Sequence, residues 1–439
     1  MPRFITAIVL ALSAIPCCLS IWPIPRSLDS GNQILKLSGS FDISINFTNP
    51  PQDLLDAVTR TKYSIQTDQL GRLTVGRGSS DSMAFGSAKT LRTLMLALEQ
   101  SASTAQPIAT EAVVALDARD EGYSLSVPLD GSAGVVSANT TLGLLRGLST
   151  FEQLWYTYDG TIYTNYAPLT IVNDSPAYIN TFHWHITDSQ SWPIQVVQFP
   201  ELAQAGAYST NQSYTPSDIQ DVVTYAGERG IDVLVEIDTP GHTAIIGASH
   251  PEYVACYLSD WITFASEPPA GQLRLADASV TNFTAAVLAA VAETLPSTMF
   301  STGGDELNTA CYAADGATQM MLNESGRTLF EALDIFTSAT HGALHALGKT
   351  AVVWEGEQLL WTEQSGPENL DSIVWPRAAS SAEIFWTGDT LPDGFDRVGN
   401  ISEALPRLHD VRYRMVQRGI KAIRLQPEWC ALRPQMCDE

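Results

Sequence analysis

Four short apolar runs, at residues 181–186, 231–237, 295–300 and 350–354, alternate with helical stretches of a dozen residues or more. This alternation narrows the fold more than any other feature of the chain. The first connecting helix opens with Thr215-Pro216-Ser217-Asp218, a capping residue, a first-turn proline and an acid. Ile219, Val222, Val223 and Ala226 give it one apolar face, and Gly230 closes it. Two further helices are read at 280–293 and 328–347, and 358–361 is read as a fifth strand. Strands that alternate with helices of this length pair in parallel, so the class is α/β.

The ends of these strands carry the chemistry. In order they read His183-Trp184-His185-Ile186-Thr187-Asp188, Asp238-Thr239-Pro240-Gly241-His242, Asp305-Glu306, Trp354-Glu355 and Trp361-Thr362-Glu363. Any one of these is explained as core or as a solvated turn. Five in succession, each with aromatics, acids or histidines, are not. Reactive residues at the C-terminal ends of parallel strands point to a (β/α)8 TIM-type barrel. Aromatic faces beside acids suit sugar rings, which stack through C–H faces and hydrogen-bond through hydroxyls. Asp305 and Glu306 follow Gly303-Gly304, where the backbone can turn so that both acids serve one cavity.

Ahead of the barrel, residues 21–165 read as a small α+β domain. Strands are expected at 35–47, 112–117 and 123–127, and helices at 54–63, 90–100 and 141–155. Residues 163–178, polar and with two prolines, read as a connector. The barrel domain takes the remainder, 166–439. Residues 1–20 read as a secretory leader: Arg3, a short apolar run, then small residues, with cleavage expected near Leu19 or Ser20. No later run approaches about 18 consecutive apolar residues, so no membrane partner is expected.

Cleavage would leave four cysteines, and sequence proximity pairs Cys430 with Cys437 and so Cys256 with Cys311. Asn-x-Ser/Thr sequons at Asn46, Asn139, Asn173, Asn211, Asn282, Asn323 and Asn400 fit a secreted, N-glycosylated product. The net charge of −24 argues against a nucleic-acid partner, which needs clustered Lys and Arg.

The motifs Thr181-Phe182-His183-Trp184-His185-Ile186-Thr187-Asp188, Asp238-Thr239-Pro240-Gly241-His242, Thr302-Gly303-Gly304-Asp305-Glu306 and Leu360-Trp361-Thr362-Glu363 resemble glycoside hydrolase family 20, the β-N-acetylhexosaminidases, and in particular its secreted fungal members. The resemblance spans essentially the whole mature chain. It implies a retaining exo-enzyme acting on terminal N-acetylglucosamine or N-acetylgalactosamine, including chito-oligomers, with no cofactor and no metal. Adjacent acids are poorly placed to flank a glycosidic bond, and this family is a substrate-assisted exception to the two-carboxyl scheme. By resemblance, Glu306 is the general acid and then base, and Asp305 orients the substrate's acetamide. Asp188 and His242 form a supporting pair behind Glu306. His185, Trp354 and Trp361 shape the sugar pocket, and Glu363 binds a hydroxyl. A homodimer is the candidate assembly.

The match breaks in two places. No arginine lies between Arg146 and Arg229, where the family carries a sugar-gripping one, and Trp354-Glu355 runs directly into Gly356-Glu357. About five strand units are read where a closed barrel has about eight. Segments therefore look excised near 178/179 and 355/356, leaving an incomplete barrel. A catalytically impaired, sugar-binding relic is the alternative under that reading. A metal-dependent barrel hydrolase is a third, with His183, His185, Asp238, His242 and Asp305 as ligands.

Overall fold

The computed structural model describes residues 20–99, 105–174, 179–304, 306–353, 359–361, 365–387, 401–433 and 436–437. The first unit is built on six strands: β1 (Leu28–Ile45), β2 (Lys89–Leu98), β3 (Tyr123–Val127), β4 (Gly134–Ala138), β5 (Tyr156–Tyr158) and β6 (Thr161–Asp174). Pairings run from β1 through β2, β4 and β3 to β6, and β6 returns to β1. The long strands β1 and β6 are what allow this, because β1 pairs with two of the others along its length and β6 with three. Two helices pack on the sheet, Gln52–Thr67 and Thr141–Gln153. The second is almost wholly buried. Thr140 caps it by accepting from the Gly143 amide, and Leu142, Leu144, Leu148 and Phe151 are fully covered.

Three expectations for this unit are corrected. Residues 90–100 were expected to be helical, but 89–98 are strand β2. Its Leu, Met, Arg and Ala content favours helix, and parallel pairing with both β1 and β4 overrides that preference. The expected strand at 112–117 is instead the end of a short helix, Ile108–Ala112, followed by turns. Val114 and Leu116 stay exposed there. Residues 163–174 are not a connector but most of β6, so the first sheet continues through Asp174.

The second unit holds four parallel strands in the order β12-β11-β8-β7: β7 (Thr181–His185), β8 (Asp232–Glu236), β11 (Met299–Ser301) and β12 (Thr350–Val352). A two-strand ribbon, β9 (Val254–Ala255) with β10 (Gln272–Leu273), lies in a loop between them. The connecting helices are Pro216–Gly227, Ala278–Ala292 and Leu329–Ala346. The first and third carry capping boxes, Thr215 with Asp218 and Thr328 with Glu331. Val233, Val235, Ile237, Val291, Phe300 and Phe336 form the core between sheet and helices. This is an arc of a (β/α) barrel. Residues 359–361 have no regular structure, and the rest of the expected fifth strand lies outside the described residues. So do residues 175–178 and 354–358, which hold both expected junctions. Phe182 on the outer strand β7 is 45% exposed, as is Val353 beyond β12.

Polar contacts join the two units. Arg119 meets Asp232 at 3.3 Å, and Arg146 donates to the Gly230 carbonyl at 2.7 Å. The helices Arg377–Thr387 and Ile401–Gln417 return to the first unit, where Arg414 donates to the carbonyls of Gln153 and Trp155. Both expected disulfides are present, Cys256–Cys311 and Cys430–Cys437. Six of the seven sequon asparagines are among the described residues, and all six are exposed; Asn400 lies outside them. Among the described residues no helix is long and apolar enough to cross a membrane.

Candidate active site

The site lies at the C-terminal ends of β7, β8 and β11, and parallel register assembles it. His185 on β7 and Ser301 on β11 both align with Glu236 on β8. Alternation along β7 sends His183 and His185 to the inner face and Phe182 and Trp184 to the other. There Phe182 stacks on Trp184, which meets Tyr214 edge-on.

Glu236 is the hub of the floor. It is fully buried and receives His183 Nε2 at 2.8 Å, Ser301 Oγ at 2.6 Å and His185 Nδ1. A buried carboxylate is tolerated only when its oxygens are satisfied in this way. Burial opposes its charge, but hydrogen bonds from His183, His185 and Ser301 prevail and hold Glu236 down to about 2. Sequence reasoning missed Glu236 and Ser301. The available signal was an acid inside an otherwise apolar strand.

Above this floor runs a chain of charge-assisted contacts. Asp188 Oδ1 pairs with His242 Nδ1 at 2.9 Å, and His242 Nε2 reaches Glu306 Oε2 at 3.4 Å. Asp188 Oδ2 lies 3.4 Å from His185 Nε2, so the Asp188 carboxylate sits between two imidazoles. Burial disfavours charge on His242, yet Asp188, Asp238 and Glu306 together push it up to about 9. Burial likewise works against His185, and Asp188 and Glu236 push it up to about 10. Both shifts favour the imidazolium form. The Asp188 carboxyl is correspondingly held well below the usual range, its burial outweighed by His185 and His242.

The loop that carries the paired acids is pinned from below. Asp238, 1% exposed, accepts from the Gly304 amide at 2.8 Å. Gly303 has φ +62°, and a Cβ there would lie 2.2 Å from Asp238 Cγ. The position thus requires glycine twice over, for conformation and for space. Burial pushes the Asp238 carboxyl up to about 6 despite the Gly304 hydrogen bond.

Of the residues expected in the site, Glu306, Asp188, His242 and His185 are brought together. Trp361 meets His185 edge-on with ring centroids 5.8 Å apart, and its outer side is exposed. Asp305, Trp354 and Glu363 lie outside the described residues. The metal reading fares poorly. His183 and His185 are bound to Glu236, and His242 lies between Asp188 and Glu306, so the described histidines of the expected ligand set are engaged by different carboxylates. His185, Glu236 and Asp238 do place one potential ligand atom each within 4.8 Å of one another. A cation there would have to displace the proton that His185 retains up to about 10.

Comparison with known proteins bears on the same residues. The family described as glycosyl hydrolase family 20, catalytic domain, matches residues 175–358 and 356–389, and one described as beta-acetyl hexosaminidase like matches 21–154. A beta-hexosaminidase of Arthroderma benhamiae is 27% identical over 460 positions, covering 73% of this chain and 74% of its own. A chitooligosaccharidolytic beta-N-acetylglucosaminidase of Bombyx mori is 26% identical over 555 positions, covering 95% and 89%. Since 95% of 439 residues is about 417, about 138 of those 555 aligned positions have no residue here. Among solved structures, the chitobiase of Flavobacterium johnsoniae superposes with a TM-score of 0.70 at 20% identity, covering 92% of this chain and 74% of that one.

Proposed function

The chain belongs to glycoside hydrolase family 20, the β-hexosaminidases, and from that premise we propose that it removes terminal non-reducing N-acetyl-D-hexosamine residues with retention of configuration. The observation that carries this reading is the Asp188–His242–Glu306 chain, which holds a carboxyl at the mouth of the site.

In the proposed reaction the substrate's 2-acetamido oxygen attacks the anomeric carbon as the glycosidic bond breaks. Glu306 gives its proton to the departing oxygen. The resulting oxazolinium is then opened by water, which returns a proton to Glu306. His242 lies against one Glu306 oxygen and positions the carboxyl. Asp188 keeps His242 charged and oriented. Asp305 is assigned to the acetamide nitrogen, with Trp354, Trp361 and Glu363 around the sugar. The names of the Bombyx mori and Arthroderma benhamiae relatives support chito-oligomers as the substrate class and a fungal-type enzyme. The exposed sequon asparagines support secretion and glycosylation.

The test is release of N-acetylglucosamine from chitobiose, a poor leaving group, by the secreted protein in excess chelator. Glu306→Gln should lower turnover by roughly 10²–10⁴-fold. Full activity in Glu306→Gln removes that residue from its role. No release by a wild-type protein whose deglycosylated mass equals that of the mature chain overturns the catalytic reading.

A further inference from the structure

Residues 20–25 form a strap threaded between the first unit and the C-terminal helices. Ile21 is fully buried. The Trp22 amide donates to Gln153 Oε1 at 2.7 Å, and its indole donates to the Ala379 carbonyl at 2.8 Å under the Arg407 guanidinium. The start of the strap edges a cavity of about 40 Å³ lined by Ser20, Thr74, Asn165, Tyr166, Asp410 and Arg414, among others. That is room for a few water-sized groups.

Two observations point to what belongs there. Unpartnered buried polar atoms cluster on this cavity: Thr74 Oγ1, Asn165 Oδ1 and the Trp155 indole nitrogen. Two of the three can accept hydrogen bonds. The surrounding charge is also unbalanced. Arg72, Asp410 and Arg414 line the cavity, and their ion pairs extend beyond it: Arg72 with Asp81, Arg414 with Asp410, and the neighbouring Arg418 with both Asp68 and Glu152, so the cluster as a whole sets four carboxylates against three guanidiniums. The site asks for one small cation rich in donors.

We propose that this cavity seats the chain's own processed N-terminus: removal of the leader leaves an α-ammonium, at Ser20 or Ile21, held by acceptors of Asn165, Tyr166 and Asp410. Hydrolysis of the peptide bond by a leader peptidase consumes one water. It leaves a carboxylate on the released leader and, after protonation, an –NH₃⁺ on this chain. A cut before Ser20 acts on a nitrogen already directed at Tyr166 Oη, 3.2 Å away, and gives it two further N–H groups. A cut after Ser20, with small Cys18 and Ser20 at the third and first positions before the bond, removes the groups that now occupy Tyr166 Oη and the Gln153 carbonyl. Both acceptors then fall to the Ile21 ammonium. In either case leader removal completes the charge balance of the seam that joins the two units. The proposal rests on the leader reading of the first residues and is independent of the catalytic one.

The test uses the secreted full chain and a form carrying three extra residues ahead of Ser20. Intact mass should place the start at Ser20 or Ile21, and a start elsewhere overturns the proposal. The native α-amine should resist an amine-selective acylating reagent that modifies it fully in denaturant; equal labelling in both states overturns it. Asp410→Asn should raise the unfolding constant of the processed form by roughly tenfold or more beyond its effect on the extended form. Equal effects in the two forms would show a merely structural Asp410–Arg414 pair and refute the seat. Should the extended form fail to fold, the labelling result decides.

Discussion

Replacing Gly303 with alanine tests whether Asp238 positions the loop of the paired acids. The backbone there has φ +62°, where a side chain meets strain of about 1–2 kcal/mol. The new Cβ would also stand 2.2 Å from both Cγ and Oδ1 of Asp238, so that carboxyl must move. Moving it breaks the 2.8 Å bond from the Gly304 amide, a hydrogen bond to a charged group worth roughly 1.5–3 kcal/mol. The two effects together give about 2.5–5 kcal/mol. Gly304 is the internal control. Its φ is +96°, yet among the described residues a Cβ there meets no non-adjacent atom within 4 Å, so Gly304→Ala should show strain alone, about 1–2 kcal/mol. Urea unfolding of both variants, with chitobiose turnover alongside, separates the terms. In an Asp238→Ala background the penalty of Gly303→Ala should shrink to the strain value. Equal losses at the two glycines, or a full Gly303 penalty without Asp238, would refute the contact as the cause.

Other outcomes follow from the same geometry. His242 and His185 are raised from 6.5 to about 9 and about 10, so their stabilisation is complete below pH 6.5 and is lost as pH rises through those values. Asp188→Asn should therefore flatten the fall in stability between pH 6.5 and 10, by up to ~3 kcal/mol for His242, read from denaturant melts across that range; an unchanged slope would exclude Asp188 as the source. Arg119→Leu leaves the buried Asp232 without its guanidinium partner, though with Ser297 Oγ still at 3.0 Å, and should destabilise by about 3–5 kcal/mol, with partial recovery on adding Asp232→Asn. Replacing Cys256 and Cys311 by alanine opens a 55-residue loop and should lower stability by about 4 kcal/mol in calorimetry. Activity should persist in excess chelator, and its complete loss would revive His185, Glu236 and Asp238 as a metal centre.

Much of the second unit was legible because its signals are local. The capping residue Thr215 marks a real helix start, the stretch read from 328 is a helix from Leu329, and the apolar runs at 181–186 and 231–237 are strands within a residue or so. The first unit was harder. Residues 89–98 have helix-forming side chains, and only their place between β1 and β4 makes them a strand. The polar sequence of β6 concealed a strand with three partners, which no window of sequence contains. In the site, the motif residues Asp188, His242 and Glu306 were visible because they cluster in recognisable strings. Glu236 was not, because its meaning comes from register: it is an ordinary acid until β7 and β11 place His185 and Ser301 opposite it.

That shared carboxylate also limits how the site can change. His183, His185 and Ser301 do not drift independently, since each answers to the same two oxygens of Glu236. Loss of one leaves the acid short of a donor and alters what the others can tolerate, so their substitutions are epistatic. An order of replacement that is harmless in one background is damaging in another. Grafting a relative's strand end into this chain would have to carry all four positions at once, and lineages that exchange them must pass through a compensated intermediate.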